Sequence, residues 1–421
     1  MSVESNLRNL CNLWIRNMRG RKRLRVAAVL KVGPMNLIFS MLVFKEEAVR
    51  LHDVASHASN AWMTGLSRAL IASGVNLRTV GHEPARVWPL GRHLLPGDPG
   101  HLREACPQRL VRFLNMPLLR HFFLCLGYRR ATCAAVRESG EAVVCTYNPL
   151  IWQVYAAQAA VRKGARWISF VLDDDGVARH GWSRYLKQTR MAAGHVFVSQ
   201  WAYEQAPVRN KLLMEGVVEA WRGDKEDRRS RVPSVMYAGL FSRSAGMEEL
   251  LTLIDATARQ DVEFWICGRG VCPELSRRAV QDQRIKLLGF LSEEELDQRL
   301  RSAWVLVNPR SVTHEESLMN FPSKLLRYLS YGKPVVTVWT PGIPSEYREV
   351  LQVTDPDVCG SAPAAIGQTM ARQVEGVLQW KTAERQAWEA KIQQFVVPGK
   401  LWSSQGERLV EFMKSLDLST N

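Results

Sequence analysis

The feature that most constrains the fold is a regular alternation of strand-like and helix-like segments between residues 235 and 338. Apolar runs predict strands at Val235–Ala238, Val262–Cys267, Ile285–Leu288, Trp304–Asn308 and Pro334–Val338. Helical spacing predicts helices between them at Met247–Ala258, Pro273–Gln281, Glu293–Arg301 and Pro322–Tyr331. This alternation indicates a parallel, doubly wound α/β sheet, which binds ligands beyond the carboxyl ends of its strands.

A weaker form of the same alternation occupies the first half of the chain. Strands are predicted at Leu37–Phe44, Asn76–Val80, Ala142–Cys145, Trp167–Leu172 and His195–Val198, with a helix at Asn60–Ala72. The charged stretch Ala220–Pro233 separates the two halves. We therefore predict two Rossmann-like doubly wound domains that face each other across a cleft, at 36–222 and 234–395, joined by a linker at 223–233. A final helix at 396–421 is expected to be able to cross back to the first domain.

The charge of the chain is concentrated in its first half. The net charge is +15, yet residues 1–230 hold 34 lysines and arginines against 18 aspartates and glutamates. A basic half beside a neutral half indicates an acidic partner, and both nucleic acid and an anionic membrane surface qualify. The 8 cysteines include no C-x-x-C pair, which favours reduced thiols in the cytoplasm over disulfides or a structural zinc site.

Two segments are candidates for contact with a membrane. Residues 1–35 form a basic extension in which Leu7, Leu10, Trp14 and Met18 recur at helical spacing, a pattern typical of a helix that lies in a lipid interface. The alternatives are a helix packed on the domain, an upstream extension with no role, and an organelle transit peptide. The second segment, 109–130, combines apolar residues with flanking arginines, and Pro117 predicts that it forms two short helical pieces at best. No apolar run reaches the roughly 18 residues of a membrane span, so we expect a soluble or peripheral protein.

Three motifs in the second half carry residues suited to a phosphate-bearing ligand. The first is the turn after Gly239, with Ser242, Arg243 and Gly246, where a helix N-terminus offers free N–H groups to an anion. The second is Gly268 and Gly270 at a strand end, which suits a flat base or ribose. The third follows the strand that ends at Asn308, and it comprises Arg310 and the run Asn320, Phe321, Pro322, Ser323, Lys324. Because Pro322 favours a first helical turn, Ser323 and Lys324 are predicted to form a second anion site at the same strand ends.

Residues 235–348 resemble the donor domain of GT-B glycosyltransferases, in particular the family-4-like retaining enzymes of bacterial envelope polysaccharide assembly. The resemblance is carried by Leu288-Gly289-Phe-Leu, by Asn320-Phe-Pro-Ser-Lys-Leu and by Tyr328-Leu-Ser-Tyr-Gly-Lys-Pro-Val-Val. It implies a metal-independent hexosyltransferase with an acceptor-side first domain and a nucleotide-sugar donor domain. It also implies a donor diphosphate near Arg243 and Lys324, as the catalytic cations, and a base near Gly268 and Gly270.

The chain departs from this family at two positions. Family members have two glutamates eight positions apart, of which the first contacts the transferred sugar and the second binds the donor ribose. Met319 and Arg327 occupy those places here. Arg327 is accordingly a candidate donor-binding residue of altered chemistry.

On the acceptor side, the candidates are a histidine and an aspartate. His57 follows the first strand in a predicted loop, together with His52, and can orient or deprotonate an acceptor hydroxyl. Asp174 lies in a run of three aspartates at another strand end, where it can line the acceptor cleft; a metal is not expected there. The expected partners are a nucleotide-sugar, a saccharide or lipid-linked acceptor and an anionic membrane surface on the inner face of the cytoplasmic membrane. A nucleotide-sugar epimerase and a catalytically silent GT-B partner subunit are the alternatives, and nucleic acid is disfavoured because no recognition module is evident.

Overall fold

The computed structural model describes residues 35–41, 57–95, 106–148, 150–172, 175–223, 229–314 and 320–416. It contains two large sheets in which all strand pairs are parallel. This architecture confirms the predicted pair of Rossmann-like doubly wound domains. The predicted basic extension lies outside the described residues except for Met35. No helix in the described part of the chain is long and apolar enough to cross a bilayer.

The N-terminal lobe is built on a seven-stranded sheet of order β4-β2-β1-β6-β7-β8-β9. Its strands are β1 Asn36–Ser40, β2 Asn76–Gly81, β3 Leu94–Leu95, β4 Gln108–Leu110, β5 Phe113–Leu114, β6 Ala142–Tyr147, β7 Arg166–Val171, β8 Gly194–Phe197 and β9 Lys211–Leu213. Its helices are α1 His57–Ala72, α2 Leu119–Ser139, α3 Ile151–Val161, α4 Asp175–Thr189 and α5 Gln200–Gln205. Strands β3 and β5 form a separate antiparallel pair beside the sheet.

The C-terminal lobe is built on a six-stranded sheet of order β12-β11-β10-β13-β14-β15. Its strands are β10 Ser234–Leu240, β11 Glu263–Arg269, β12 Ile285–Gly289, β13 Val305–Asn308, β14 Val335–Val338 and β15 Gln352–Thr354. Its helices are α6 Met247–Ala256, α7 Pro273–Gln281, α8 Glu293–Ser302, α9 Lys324–Leu329, α10 Pro356–Cys359, α11 Pro363–Leu378 and α12 Thr382–Gly399, with a 3-10 helix at Ser345–Glu349. A last helix, α13 Trp402–Ser415, follows.

Local sequence explains why these elements form where they do. Central strands such as β13 and β14 are almost entirely buried, as expected for a parallel sheet covered on both faces. Helix α7 begins with Pro273 in its first turn. Helix α8 begins with a capping box, in which the Ser292 side chain accepts from the Glu295 N–H and the Glu295 carboxylate accepts from the Ser292 N–H.

The segment 106–139 corrects one prediction. Two short helical pieces were expected around Pro117, whereas the residues before this proline form β4 and β5 and those after it form α2, a helix of 21 residues. The physical reason is that Pro117 lies before the first turn of the helix, where its missing N–H costs nothing. The preceding residues obtain their hydrogen bonds from β2 and β3 instead.

The carboxyl edges of the two sheets face each other. Gln200 comes just after β8 and Gly342 just after β14, and the Gln200 N–H donates to the Gly342 carbonyl at 3.1 Å. A buried polar cluster also joins the lobes beneath this contact. In it Lys400 binds Glu215 and Glu346, and the Tyr347 hydroxyl donates to Glu215 at 3.0 Å. The contact and the cluster hold the two strand-end regions opposite each other.

Helix α13 packs on the N-terminal lobe although it follows the C-terminal lobe in sequence. Its residues Leu409, Val410 and Met413 belong to the same buried cluster as β1 and α1. The indole of Trp402, at the start of α13, lies against Gly65 of α1, where an added Cβ would come within 1.9 Å of the ring. Burial of these apolar side chains attaches the end of the chain to the first lobe.

Candidate functional site

The ends of β10 and β11 present a flat surface of backbone. Gly239 and Gly268 are register partners in the two strands. A Cβ on Gly268, whose φ is +149°, would come within 1.7 Å of the Gly239 carbonyl oxygen. A side chain at Gly268 would therefore clash with the neighbouring strand, and residues with a Cβ rarely adopt this φ. The pair therefore leaves room for a ligand to approach the strand ends closely.

Lys324 lies directly over this surface. The Tyr328 hydroxyl accepts from the Ala238 N–H at 2.9 Å and donates to the Ala238 carbonyl at 3.1 Å, which fixes helix α9 against the end of β10. Lys324 is one turn earlier in α9 and so lies on the same helix face. Its Nζ is 4.5 Å from the centre of the Tyr237 ring, and a Cβ added at Gly239 would lie 2.6 Å from it.

The electrostatic environment of Lys324 is cationic. Burial, together with the nearby Arg310 guanidinium, lowers the pKa of Lys324 from its ordinary value to about 8. Burial raises the pKa of the Cys267 thiol to about 11, although Arg327 and Lys324 act in the opposite direction. None of the carboxylates in the described ranges forms an ion pair with Lys324. A half-buried ammonium beside a second cation provides the charge that an anionic ligand needs.

The turn between β10 and α6 packs against the loop that carries Arg310. Gly246 has a φ of +88°, and a Cβ there would lie 0.9 Å from the Pro309 carbonyl oxygen. The Ser242 hydroxyl accepts from the Ala245 N–H at 3.2 Å and so stabilises the turn. The first predicted anion-binding turn and the Pro309–Arg310 loop thus lie side by side.

Arg243 lies on the outer side of this turn. Its side chain is 83% exposed, and its Nε is 3.4 Å from the Glu248 carboxylate on the first turn of α6. An exposed pair of this kind adds little to stability, so the guanidinium can leave Glu248 at small cost. In the structure, Lys324 and Arg310 lie together, whereas Arg243 faces solvent.

Residues 320–323 directly precede Lys324, and two of them, Phe321 and Pro322, are buried. Phe321 is buried and packs on Tyr347, with ring centres 5.4 Å apart, so it belongs to the core. Pro322 is buried and its carbonyl accepts from the Leu325 N–H at 2.9 Å, while Ser323 is exposed. Helix α9 therefore begins at Lys324, two residues after the predicted start. The side-chain oxygen of Asn320 is buried, and no described residue forms a hydrogen bond with it.

Arg327 is held by a carboxylate from a neighbouring helix. Its guanidinium contacts Glu293 at the start of α8, at 2.7 Å. The same helix carries Asp297, which binds Arg222, Arg301 and Tyr331 at 2.6–2.8 Å. Burial acts to raise the pKa of Asp297, but these hydrogen bonds outweigh it and lower the pKa to about 2. At the position where the resembled family has its second glutamate, this chain has an arginine–glutamate pair.

An exposed apolar group surrounds the predicted base position, and the sequence analysis did not identify it. Leu240 is the last residue of β10, Val271 and Phe290 follow β11 and β12, and all three side chains are exposed. The Arg269 guanidinium lies 4.2 Å above the Phe290 ring. Gly270, with a φ of +112°, separates the last residue of β11 from Val271. Apolar side chains and a stacked guanidinium beside glycines suit a planar heterocycle.

The acceptor-side candidates are only partly described. His57 is the first residue of α1 and not part of a loop, and its side chain, like Asp174, lies outside the described residues. The structure instead identifies His82, which directly follows β2. Its Nδ1 is 2.7 Å from the Tyr128 hydroxyl, and burial, followed by Arg120, lowers the pKa of His82 to about 4. A histidine at the end of a predicted strand was the available signal in the sequence.

Comparison with known families agrees with this geometry. Residues 232–372 match the family described as Glycosyl transferases group 1. This segment, about a third of the chain, is therefore similar to a glycosyl transferases group 1 domain. The match spans β10 to α11 and so includes the glycine pair, Arg310 and Lys324. No curated protein matches the chain at a significant level.

Solved structures of low sequence identity share the fold across nearly the whole chain. Sucrose-phosphate synthase from Thermosynechococcus elongatus is 16% identical, with a TM-score of 0.62 over 92% of this chain and 100% of that one. Anabaena HepE in complex with UDP-glucose is 14% identical, with a TM-score of 0.60 over 90% and 100%. A putative UDP-N-acetylglucosamine 2-epimerase from Listeria monocytogenes is 12% identical, with a TM-score of 0.53 over 92% and 98%. The two lobes therefore have the GT-B fold.

Proposed function

We propose that this protein is a metal-independent glycosyltransferase that moves a hexose from a nucleotide-sugar to a lipid-linked saccharide, with retention of configuration, in envelope polysaccharide biosynthesis. The observation that carries the proposal is the position of Lys324 over the Gly239–Gly268 surface, beside Arg310. These two cations match the two negative charges of a nucleotide-sugar diphosphate. The matched family and the UDP-glucose bound by the structurally similar HepE support the same class of donor.

In the proposed reaction, the bond between the sugar anomeric carbon and the diphosphate oxygen breaks, and a bond to the acceptor oxygen forms on the same face. The acceptor proton passes to the departing phosphate oxygen, so no strong base is required. Lys324 and Arg310 stabilise the negative charge that develops on the leaving diphosphate. The exposed Leu240, Val271 and Phe290 would hold the base, and Gly268 and Gly270 would let the ribose lie on the strand ends.

The proposed location is the inner face of the cytoplasmic membrane, with the chain bound peripherally. The support is the excess of basic residues in the first half, which suits anionic lipid, and the need of a lipid-linked acceptor for a membrane. His82 directly follows β2, at the carboxyl edge of the N-terminal sheet, where we place the acceptor. Because its low pKa keeps the ring neutral at physiological pH, it is suited to accept or donate a hydrogen bond to an acceptor hydroxyl.

The test replaces Lys324 by methionine, which keeps the aliphatic stem over Tyr237 and removes the charge. The donor is first identified by a thermal-shift screen of nucleotide-sugars. We expect Lys324→Met to lower kcat/KM with that donor by roughly 100-fold, the scale of one lost charge-stabilising group. Lys286→Met, at an exposed lysine of β12 in the same sheet, is the matched control and should leave turnover unchanged. Equal turnover of both variants and the wild type would exclude the assigned role of Lys324.

One observation favours a second candidate, a catalytically silent GT-B subunit. Arg327 pairs with Glu293 at the place where the resembled family uses a glutamate for the donor ribose. A silent subunit would show no thermal shift with any nucleotide-sugar, whereas the proposed enzyme shows both a shift and turnover. Product formed from the donor alone, without an acceptor, would instead indicate an epimerase.

A further inference from the structure

The N-terminal lobe carries an exposed apolar surface that the donor site does not use. Among the described residues, exposed large apolar side chains concentrate between residues 87 and 155. We name the apolar patch by its six most prominent members: Trp88, Leu90, Leu118, Leu119, Phe122 and Ile151. Leu118 is 94% exposed, Leu90 80% and Phe122 64%. Clustered exposure of this kind marks an interaction surface, whereas single exposed apolar residues do not.

Hydrogen bonds and ring contacts join the three segments of the patch. The Asn115 side-chain amide donates to the Arg86 carbonyl at 2.7 Å and to the Arg92 carbonyl at 2.9 Å, which fixes the loop of Trp88 and Leu90 beside the start of α2. The His121 ring lies 5.6 Å from the Trp152 ring, so the first turn of α2 adjoins the first turn of α3, where Ile151 lies. The patch is therefore one continuous surface.

The backbone itself projects one member of the patch. Leu118 has a φ of +66°, a conformation that costs a residue with a Cβ on the order of 1 kcal/mol. Its side chain gains no burial in return. Strain of this kind at an exposed leucine indicates selection for presenting the side chain rather than for packing it.

The charge around the patch identifies the occupant. In the described ranges 82–95 and 112–123, which contain the loop of Trp88 and the start of α2, there are four arginines and one acidic residue, Glu83. The arginines are Arg86, Arg92, Arg112 and Arg120. Projecting leucine, phenylalanine and tryptophan side chains with a surrounding excess of cations match an anionic lipid interface, where the apolar groups enter the acyl boundary and the cations meet the headgroups.

We infer that the apolar patch is the membrane-docking surface of this protein and that it binds bilayers containing anionic lipid. The patch lies at the carboxyl edge of the N-terminal sheet, since its loops follow β2 and β6 and His82 is at the same edge. Docking there places the opening between the lobes at the headgroup level, where a lipid-linked acceptor presents its saccharide. The inference rests on the proposed function only for this last step.

The test uses the full chain and vesicles of phosphatidylcholine with phosphatidylglycerol, compared with phosphatidylcholine alone. Leu118→Asp/Phe122→Asp should lower the partition onto anionic vesicles by at least ~10-fold, because two anchors are lost and two like charges are added. Val280→Asp/Val358→Asp is the matched control, since both valines are 86% exposed on the C-terminal lobe. It adds the same charge and should bind vesicles almost as the wild type does.

A second pair of variants tests the electrostatic part. Arg92→Gln/Arg112→Gln, at two exposed arginines beside the patch, should weaken binding to anionic vesicles and leave the weaker binding to neutral vesicles unchanged. Unaltered vesicle binding by the Leu118/Phe122 variant would overturn the inference. That result is expected if residues 1–34 carry all the membrane affinity. A change of oligomeric state in light scattering, with unaltered vesicle binding, would identify the patch as a contact between copies.

Donor binding separates this inference from the proposed function. The Leu118/Phe122 variant should keep the thermal shift with the nucleotide-sugar, which also shows that it is folded. Lys324→Met should bind vesicles like the wild type. Failure of the donor experiment with normal vesicle binding would refute the transferase assignment alone, and the reverse outcome would refute the docking surface alone.

Discussion

The carboxyl edges of the two sheets differ in what they present to the space between the lobes. At the C-terminal edge, glycines leave the backbone bare and a half-buried lysine and an arginine supply positive charge. At the N-terminal edge, large apolar side chains project into solvent among arginines, and burial keeps the His82 ring neutral. The first edge is built for a small, doubly charged ligand, and the second for a broad amphipathic one.

This difference shows how one architecture divides two tasks. Both edges end parallel strands and both offer helix starts, so the fold alone does not distinguish them. The distinction comes from which side chains the loops carry. Glycine at Gly239 and Gly268 permits close approach, whereas leucine at Leu90 and Leu118 keeps a ligand at the distance of a side chain.

The largest expected effect concerns the cluster that holds the two edges opposite each other. Lys400→Met should lower the free energy of unfolding by about 3 kcal/mol, because Glu215 then remains buried without its cation. Urea denaturation measures this value. Lys391→Met, at an exposed lysine of α12, the helix that Lys400 directly follows, is the control and should have almost no effect.

A double variant that removes both buried charges tests why Lys400→Met loses stability. Glu215→Gln/Lys400→Met removes both charges and should recover most of the stability. Equal stability of Lys400→Met and the wild type would mean that the cluster does not join the lobes energetically. The two edges would then have to be treated as parts of independent units.

The next effect tests the bare backbone of the C-terminal edge. Gly239→Ala places a methyl group 2.6 Å from the present position of Lys324 Nζ, so the ammonium must move away from the strand ends. We expect the affinity for the nucleotide-sugar to fall by roughly 30-fold, about 2 kcal/mol, measured by calorimetry. Vesicle binding should stay unchanged, since the N-terminal edge is untouched.

The control for this substitution is another glycine of the same lobe. Gly376, in α11, has open space around it, and Gly376→Ala should keep the affinity and raise stability by up to ~1 kcal/mol. If Gly239→Ala bound the donor as tightly as Gly376→Ala does, the ligand would not approach the strand ends at Gly239. The glycines of the C-terminal edge and the exposed apolar side chains of the N-terminal edge would then not explain which ligand each edge binds.

The sequence predicted the C-terminal lobe better than the N-terminal lobe for a physical reason. Its strands are continuous apolar runs with strong helix-start signals between them, and α7 begins and ends at the predicted residues. In the N-terminal lobe, β3, β4, β5 and β9 are two or three residues long and depend on pairing partners distant in the chain. Short strands of this kind carry too little periodicity to be predicted locally.

The site was predictable at the level of motifs and not of contacts. The glycines and Lys324 stand out in the sequence, but the anchor of Lys324 does not. Tyr328 positions it through two hydrogen bonds to Ala238, 90 residues away. Arg243 looked equally suited to a phosphate in the sequence, and only the structure shows that it faces solvent and contacts Glu248.

The smallest expected effect is a pH dependence confined to the C-terminal edge. Among the described residues, the charged groups that face Lys324 are Arg310 from the loop after β13 and, once ionised, Cys267 and Tyr237 from the two strands. Burial raises the pKa of both the thiol and the phenol, so neither is charged near pH 8. Lys324, with a pKa of about 8, is therefore the group that titrates. Its ammonium is present below that pH and is lost as the pH rises through it.

Affinity for the nucleotide-sugar should accordingly change little between pH 6 and 7.5, fall about 5-fold between pH 8 and 9 and fall about 10-fold for each further pH unit, because binding then requires the uptake of one proton. Calorimetry in buffers of different ionisation enthalpy measures both the affinity and the proton taken up. Lys324→Arg keeps its charge throughout this range, so its affinity should not depend on pH. Partition onto anionic vesicles should also stay constant, since the arginines around the apolar patch do not titrate there. A parallel loss of vesicle binding above pH 8 would show that the two edges are coupled, contrary to the division of tasks inferred from their side chains.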